Sequence, residues 1–136
     1  MKKINNFKKI LIPEFSFDDN TWKWISHDGN YIFMGINYAL IVYDVKNTKE
    51  FRIKVDFEDI EALTATDNYV CFTEFGGEFL IYSLGDFKFK KTLENYFALN
   101  WGTASHKNHI FASREEEANQ FHLVNLETEQ ILKTYE

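Results

Sequence analysis

The chain writes one pattern three times. Asn30-Tyr31-Ile32-Phe33-Met34 leads on to Leu40-Ile41-Val42-Tyr43-Asp44; Asn68-Tyr69-Val70-Cys71-Phe72 leads to Leu80-Ile81-Tyr82-Ser83-Leu84; Asn108-His109-Ile110-Phe111-Ala112 leads to His122-Leu123-Val124-Asn125-Leu126. The opening Asn and the closing Asp44, Ser83 and Asn125 recur at intervals of about 40 residues. A period of this size marks a stack of like supersecondary units, none of which can bury its own apolar face alone.

Each copy reads as strands. Thr21-Trp22-Lys23-Trp24-Ile25 alternates large and polar residues, the period of a half-buried strand. Asn30 to Ile36 and Ala39 to Val45 are apolar on both faces, as strands in the middle of a covered sheet must be, with a short hairpin at Asn37-Tyr38. Glu50 to Asp56 carries charges along its length, as an exposed outer strand does. The second unit repeats this order with Glu61–Thr66, Asn68–Phe75, a Gly76-Gly77 hairpin, Glu78–Leu84 and Phe87–Leu93. The third has Phe97–Thr103, Asn108–Ser113, a charged hairpin at Arg114–Asn119, Gln120–Leu126 and Gln130–Tyr135. The 136 residues fit one domain, 1–136, with a further N-terminal strand at 6–12 and repeat units at about 21–56, 60–94 and 97–135.

Composition narrows the class. Aromatic residues make up 18% of the chain, which suits sheets whose faces are filled by large rings. Cys71 is the sole cysteine, so no internal disulfide forms, and its place in an apolar run reads as a small buried hydrophobe. A net charge of −6 argues against direct binding of nucleic acid, which needs a basic face. The lysines of Met1 to Lys9 start like a secretory leader, but Ile10-Leu11-Ile12 is too short an apolar run before Pro13. No segment is long and apolar enough to span a bilayer as a helix, and the expected compartment is the cytoplasm.

Tyr43-Asp44-Val45-Lys46-Asn47-Thr48 resembles the close of a WD40-type or related β-propeller blade, where an aromatic-Asp-aliphatic run enters a turn before the outer strand. Val124-Asn125-Leu126-Glu127-Thr128 keeps part of this run and Tyr82-Ser83-Leu84 keeps less, while the Gly-His and Trp-Asp pairs of true WD40 repeats are missing. The resemblance implies an all-β fold: a partial, open, three-bladed propeller-like stack of four-stranded antiparallel sheets, with the N-terminal strand shielding one end. Closed propellers take about four to eight blades, so a homodimer that completes a ring is the runner-up arrangement. A β-sandwich or barrel is the alternative fold.

Several residues invite chemistry. His106 and His109 have H-x-x-H spacing, but they enter a strand rather than lie on a helix and no third ligand follows. Ser105-His106 matches Ser26-His27 in the first unit, which points to a structural position of the repeat. His27-Asp28 has no oxyanion hole or third member to make a triad. Gly76-Gly77 lies between Glu74 and Glu78, which would repel a phosphate, so it reads as a hairpin. The residues left for recognition are Trp22, Trp24 and Trp101, and the acidic run Glu115, Glu116 and Glu117 on the longest hairpin.

The expectation is a non-enzymatic protein-binding module without cofactor or metal. Its most concrete form is a bacterial immunity-type inhibitor that occludes a cationic toxin such as a nuclease. The alternatives are a subunit of a homo-oligomeric or larger propeller scaffold, and a small-molecule or metal-binding enzyme using His27 and His106.

Overall fold

The computed structural model of the chain describes residues 22–25, 29–36, 38–58, 60–99, 103–114 and 119–136, with the first four as backbone alone. They form three separate antiparallel sheets, each a meander of four consecutive strands. Sheet 1 holds β1 (Trp22–Ile25), β2 (Tyr31–Ile36), β3 (Ala39–Asp44) and β4 (Lys49–Lys54). Sheet 2 holds β5 (Ala62–Ala65), β6 (Tyr69–Thr73), β7 (Glu78–Ser83) and β8 (Phe89–Phe97). Sheet 3 holds β9 (Ser105–His106), β10 (His109–Ala112), β11 (Phe121–Asn125) and β12 (Ile131–Tyr135). Among the described residues there is no helix long and apolar enough to cross a membrane. The expected N-terminal strand at 6–12 lies outside the described residues.

Alternation along each strand sorts side chains onto two faces, here called front for the side toward the preceding unit and back for the side toward the next. The back of sheet 1 presents Phe33, Leu40, Val42 and Ile53, which meet Leu63, Ala65, Val70 and Phe72 on the front of sheet 2. The back of sheet 2 presents Cys71, Phe79, Ile81 and Leu93, which meet Ile110, Ala112 and Val124 on the front of sheet 3. Runs that are apolar on both faces follow directly, because the middle strands of sheet 2 are covered on both sides. Met34, Ala39 and Ile41, on the front of sheet 1, form a third cluster buried as deeply as the other two.

The recurring anchors of the sequence are one structural device. In every unit the residue after the second anchor donates its N–H to the carbonyl of the first: Val45 to Asn30 at 2.9 Å, Leu84 to Asn68 at 2.8 Å and Leu126 to Asn108 at 3.0 Å. The second anchor is a side chain that turns the chain into the outer strand, which is why Asp, Ser and Asn occupy it. The Asp44 carboxylate accepts from the Asn47 N–H at 2.9 Å, the Ser83 hydroxyl donates to Asp86, and Asn125 Oδ1 accepts from the N–H groups of Glu127 and Thr128. Four residues beyond each anchor stands a positive-φ residue: Thr48, Phe87 and Glu129.

The bond from the Asn47 N–H, then the one from its side chain, holds the Asp44 carboxyl below its ordinary value, outweighing the opposing effect of burial. A depressed folded-state pKa stabilises the fold above the ordinary aspartate pKa of 3.8, and that contribution is lost as pH falls through the depressed value. Asp44→Asn is therefore expected to melt below the wild type at pH 7, with the gap closing on acidification below pH 3.8 in a thermal-melt series.

The structure corrects one stretch. The innermost strand of the third unit is Ser105–His106, with the turn after it at Lys107-Asn108, whereas the expected strand Phe97–Thr103 includes residues 100–102, which lie outside the described residues. Phe97 instead ends β8 and makes an isolated bridge to Ser113, exchanging 3.0 Å hydrogen bonds in both directions. Register shifts at Glu78/Phe79 and Ile81/Tyr82 let β8 run on past Leu93, where the sequence pattern had it stop.

Candidate functional site

In a meander, the connection between the second and third strands and the one leading to the next sheet fall at the same end. At this end the first two units join into a continuous rim. Tyr38, in the β2–β3 turn with a φ of 58°, donates its N–H to the Glu58 carbonyl at 3.4 Å, and its own carbonyl accepts from Val55 N–H at 3.1 Å. The linker continues to Glu61, whose N–H reaches the Thr73 carbonyl at 2.9 Å and whose carboxylate accepts from Gly76 N–H at 3.2 Å. The β6–β7 hairpin is thereby tied to the linker from sheet 1.

Gly76 takes a φ of 65°, which frees the turn from steric strain. A Cβ at Gly77 would come 2.5 Å from Glu74 Cγ, so the second glycine makes room for that acidic side chain. Two rings stand out from the rim, Tyr38 at 55% exposure and Phe75 at 75%.

Beside this rim lies a half-open pocket of about 240 Å3 lined by Asp56, Phe57, Glu74, Glu78, Leu80 and Thr92. Its lining combines three carboxylate residues with a ring, an aliphatic chain and a hydroxyl-bearing residue. That set suits one long cationic side chain, whose apolar stem lies along Phe57 and Leu80 while its head meets the acids. The volume falls below the roughly 300–1,000 Å3 of ordinary small-molecule sites. Phe57 is held from behind by Phe72, 6.3 Å away, which stacks at 5.3 Å on Tyr82. Burial chiefly, and then the Asp56 carboxylate, push the Tyr82 phenol above its ordinary value and keep it neutral.

Trp22 and Trp24 lie on β1, the first strand of sheet 1, paired with Gly35 and Phe33. Trp101, Glu115, Glu116 and Glu117 fall outside the described residues, as does His27. His106 and His109 are brought together as directly opposed partners of β9 and β10. No group of three His, Cys, Asp or Glu side chains able to hold a metal occurs among the described residues. Cys71 is fully buried, and burial pushes its thiol far above the ordinary range, so it packs as a hydrophobe.

Ser105 has a packing role of its own. Its hydroxyl accepts from Thr64 Oγ1 at 2.8 Å and donates to the Ala65 carbonyl at 2.7 Å, stitching the innermost strands of sheets 2 and 3. Ser105→Ala leaves both partners unmatched in a half-buried seam and is expected to lower stability by about 1–3 kcal/mol in urea denaturation.

The acidic cavity was missed by sequence reasoning. In the sequence Glu74 and Glu78 stand out only as neighbours of the glycine hairpin, and Asp56 only as the end of an outer strand. Strand order held the missing signal, because a meander places that hairpin and the end of that strand at one end of the stack.

No protein-family model matches the chain, and no curated protein does. Solved structures do. The chain is similar to U3-55K, with a TM-score of 0.60 and 11% identity over 83% of this chain and 36% of that one. It is also similar to the WD40 repeats of RRP9, with a TM-score of 0.60 and 11% identity over 81% of this chain and 34% of that one. It thus spans about a third of the length of these neighbours. At this identity the likeness concerns the fold: the described residues form a partial, unclosed, propeller-like stack of three blade-type sheets.

Proposed function

We propose that the chain is a non-enzymatic protein-binding module that receives a cationic partner at the hairpin end of its first two sheets. The observation that carries this reading is the pocket lined by Asp56, Glu74 and Glu78 together with Phe57 and Leu80, at the end of the stack where Tyr38 and Phe75 are exposed. Aromatic anchors beside a charge-complementary pocket are the usual make-up of a binding hot spot. The net charge of −6 supports a basic partner through long-range attraction.

In its narrower form, the module is an immunity-type inhibitor acting in the cytoplasm, and the partner is a cationic toxin such as a basic nuclease. Glu115, Glu116 and Glu117 occupy the corresponding connection in the third unit's sequence and are proposed as further contacts on that ground. Trp22, Trp24 and Trp101 are proposed as a second group.

Copurification from the native host with wild-type chain and with the Asp56→Lys/Glu74→Lys variant tests the reading. A basic protein retained by the wild type and lost from the variant is the expected result. Equal retention by both chains contradicts it. The toxin form is tested separately, by whether adding the chain silences the retained protein's nuclease activity.

A further inference from the structure

The three units can be compared position by position, because their anchors fix the register. Phe33, Leu40 and Val42 on the back of sheet 1 correspond to Cys71, Phe79 and Ile81 on the back of sheet 2, and to Phe111, Phe121 and Leu123 on the back of sheet 3. The first two sets are fully buried against the sheet that follows. The third set is apolar in the same places but only half-buried. Phe111 and Phe121 cluster with Tyr135 at 4.9–6.0 Å between ring centroids, with Lys133 Nζ 4.7 Å over the Tyr135 ring.

A second correspondence says what would meet this face. Phe51, Lys91 and Lys133 occupy one outer-strand position, opposite Val42, Ile81 and Leu123. At both internal interfaces that residue touches the positive-φ residue in the turn of the next sheet. Phe51 packs against Phe87 with centroids 4.8 Å apart, and Lys91 Nζ meets Glu129 Oε1 at 2.6 Å. The partner at this position changes in kind with its mate, ring for ring and carboxylate for ammonium. Lys133 repeats the chemistry of Lys91.

We propose that the back of sheet 3 is a docking face for the front of one further four-stranded sheet of the same kind, which carries a carboxylate in the turn after its third strand. The surface continues the two interfaces already formed within the chain, and Lys133 sets the charge of what enters. The front of sheet 1 in a second copy is not that occupant, because its Met34, Ala39 and Ile41 are already buried and its turn holds Thr48 at the matching place. The inference is independent of the partner proposed for the hairpin end.

The test extends the full chain beyond Glu136 with a second copy of residues 98–136 as the probe sheet, since that unit supplies Ile110, Ala112, Val124 and Glu129. Hydrogen exchange is expected to show the Leu123 region slowed at least about tenfold and the added strands protected. Lys133→Ala in the first copy and Glu129→Ala in the added copy are expected to be non-additive in melting temperature. Leu123→Lys in the first copy is expected to strip protection from the added strands while β6 and β7 keep theirs. An added unit without protected amides, or additive effects of the Lys133 and Glu129 changes, overturns the proposal. So does self-association of the unextended chain that protects Leu123, because the face would then serve a like face of a second copy.

Discussion

Phe72→Ala is expected to lose about 3–5 kcal/mol in denaturant unfolding, a large part of the roughly 5–15 kcal/mol that holds a typical domain together. Phe72 is fully buried in the seam between sheets 1 and 2, where removing its ring leaves a cavity that two stacked sheets cannot close. Phe79→Ala at the seam between sheets 2 and 3 is expected to cost a similar amount, since Phe79 is equally buried. The two differ in what else they move. Phe72 stands behind Phe57 of the acidic cavity and Phe79 does not. Where both variants remain folded, only Phe72→Ala is expected to weaken binding at the hairpin end, and equal weakening by both would separate the cavity from the binding site.

The second large effect is on recognition. Asp56→Lys/Glu74→Lys is expected to reduce affinity for the cationic partner at least about 100-fold, or about 2.7 kcal/mol. Reversal replaces attraction with like-charge repulsion at two points of one small cavity. Both residues are exposed, so the fold is expected to remain within about 0.5 kcal/mol of the wild type. Glu78 is left unchanged because its carboxylate accepts the Asn95 N–H and supports β8. Titration calorimetry with the retained partner measures the loss, and wild-type affinity is expected to fall with added salt. Wild-type affinity in the reversed variant would remove the cavity from the interface.

Much of the architecture could be read from residues. The Asn30, Asn68 and Asn108 series gave the number of units because each carbonyl closes the same hydrogen bond, and the Asp44, Ser83 and Asn125 series did so because each side chain shapes the same turn. Strands apolar on both faces announced a covered middle sheet. The break came after Leu93, where β8 runs on to Phe97 and the next strand is only Ser105–His106. Periodicity does not mark where a bulged strand stops. The cavity was not legible from any one motif: Asp56, Glu74 and Thr92 belong to different strands and connections, and it takes the strand order to bring Asp56 and Glu74 to one end of the stack. Glu61 likewise gives no sign in the sequence that its carboxylate will hold the hairpin at Gly76.

The central claim is that three like sheets stack back to front in one register, with sheet 2 covered on both faces and the last back face left half-exposed. Amide hydrogen exchange on the unextended chain tests it most directly, because protection tracks burial of the strands that carry the amides. The stack predicts slowest exchange in β6 and β7, intermediate exchange in β10 and β11, and fastest exchange along β12, where Ile131 to Thr134 are exposed. Exchange in β12 as slow as in β6 and β7 would contradict it.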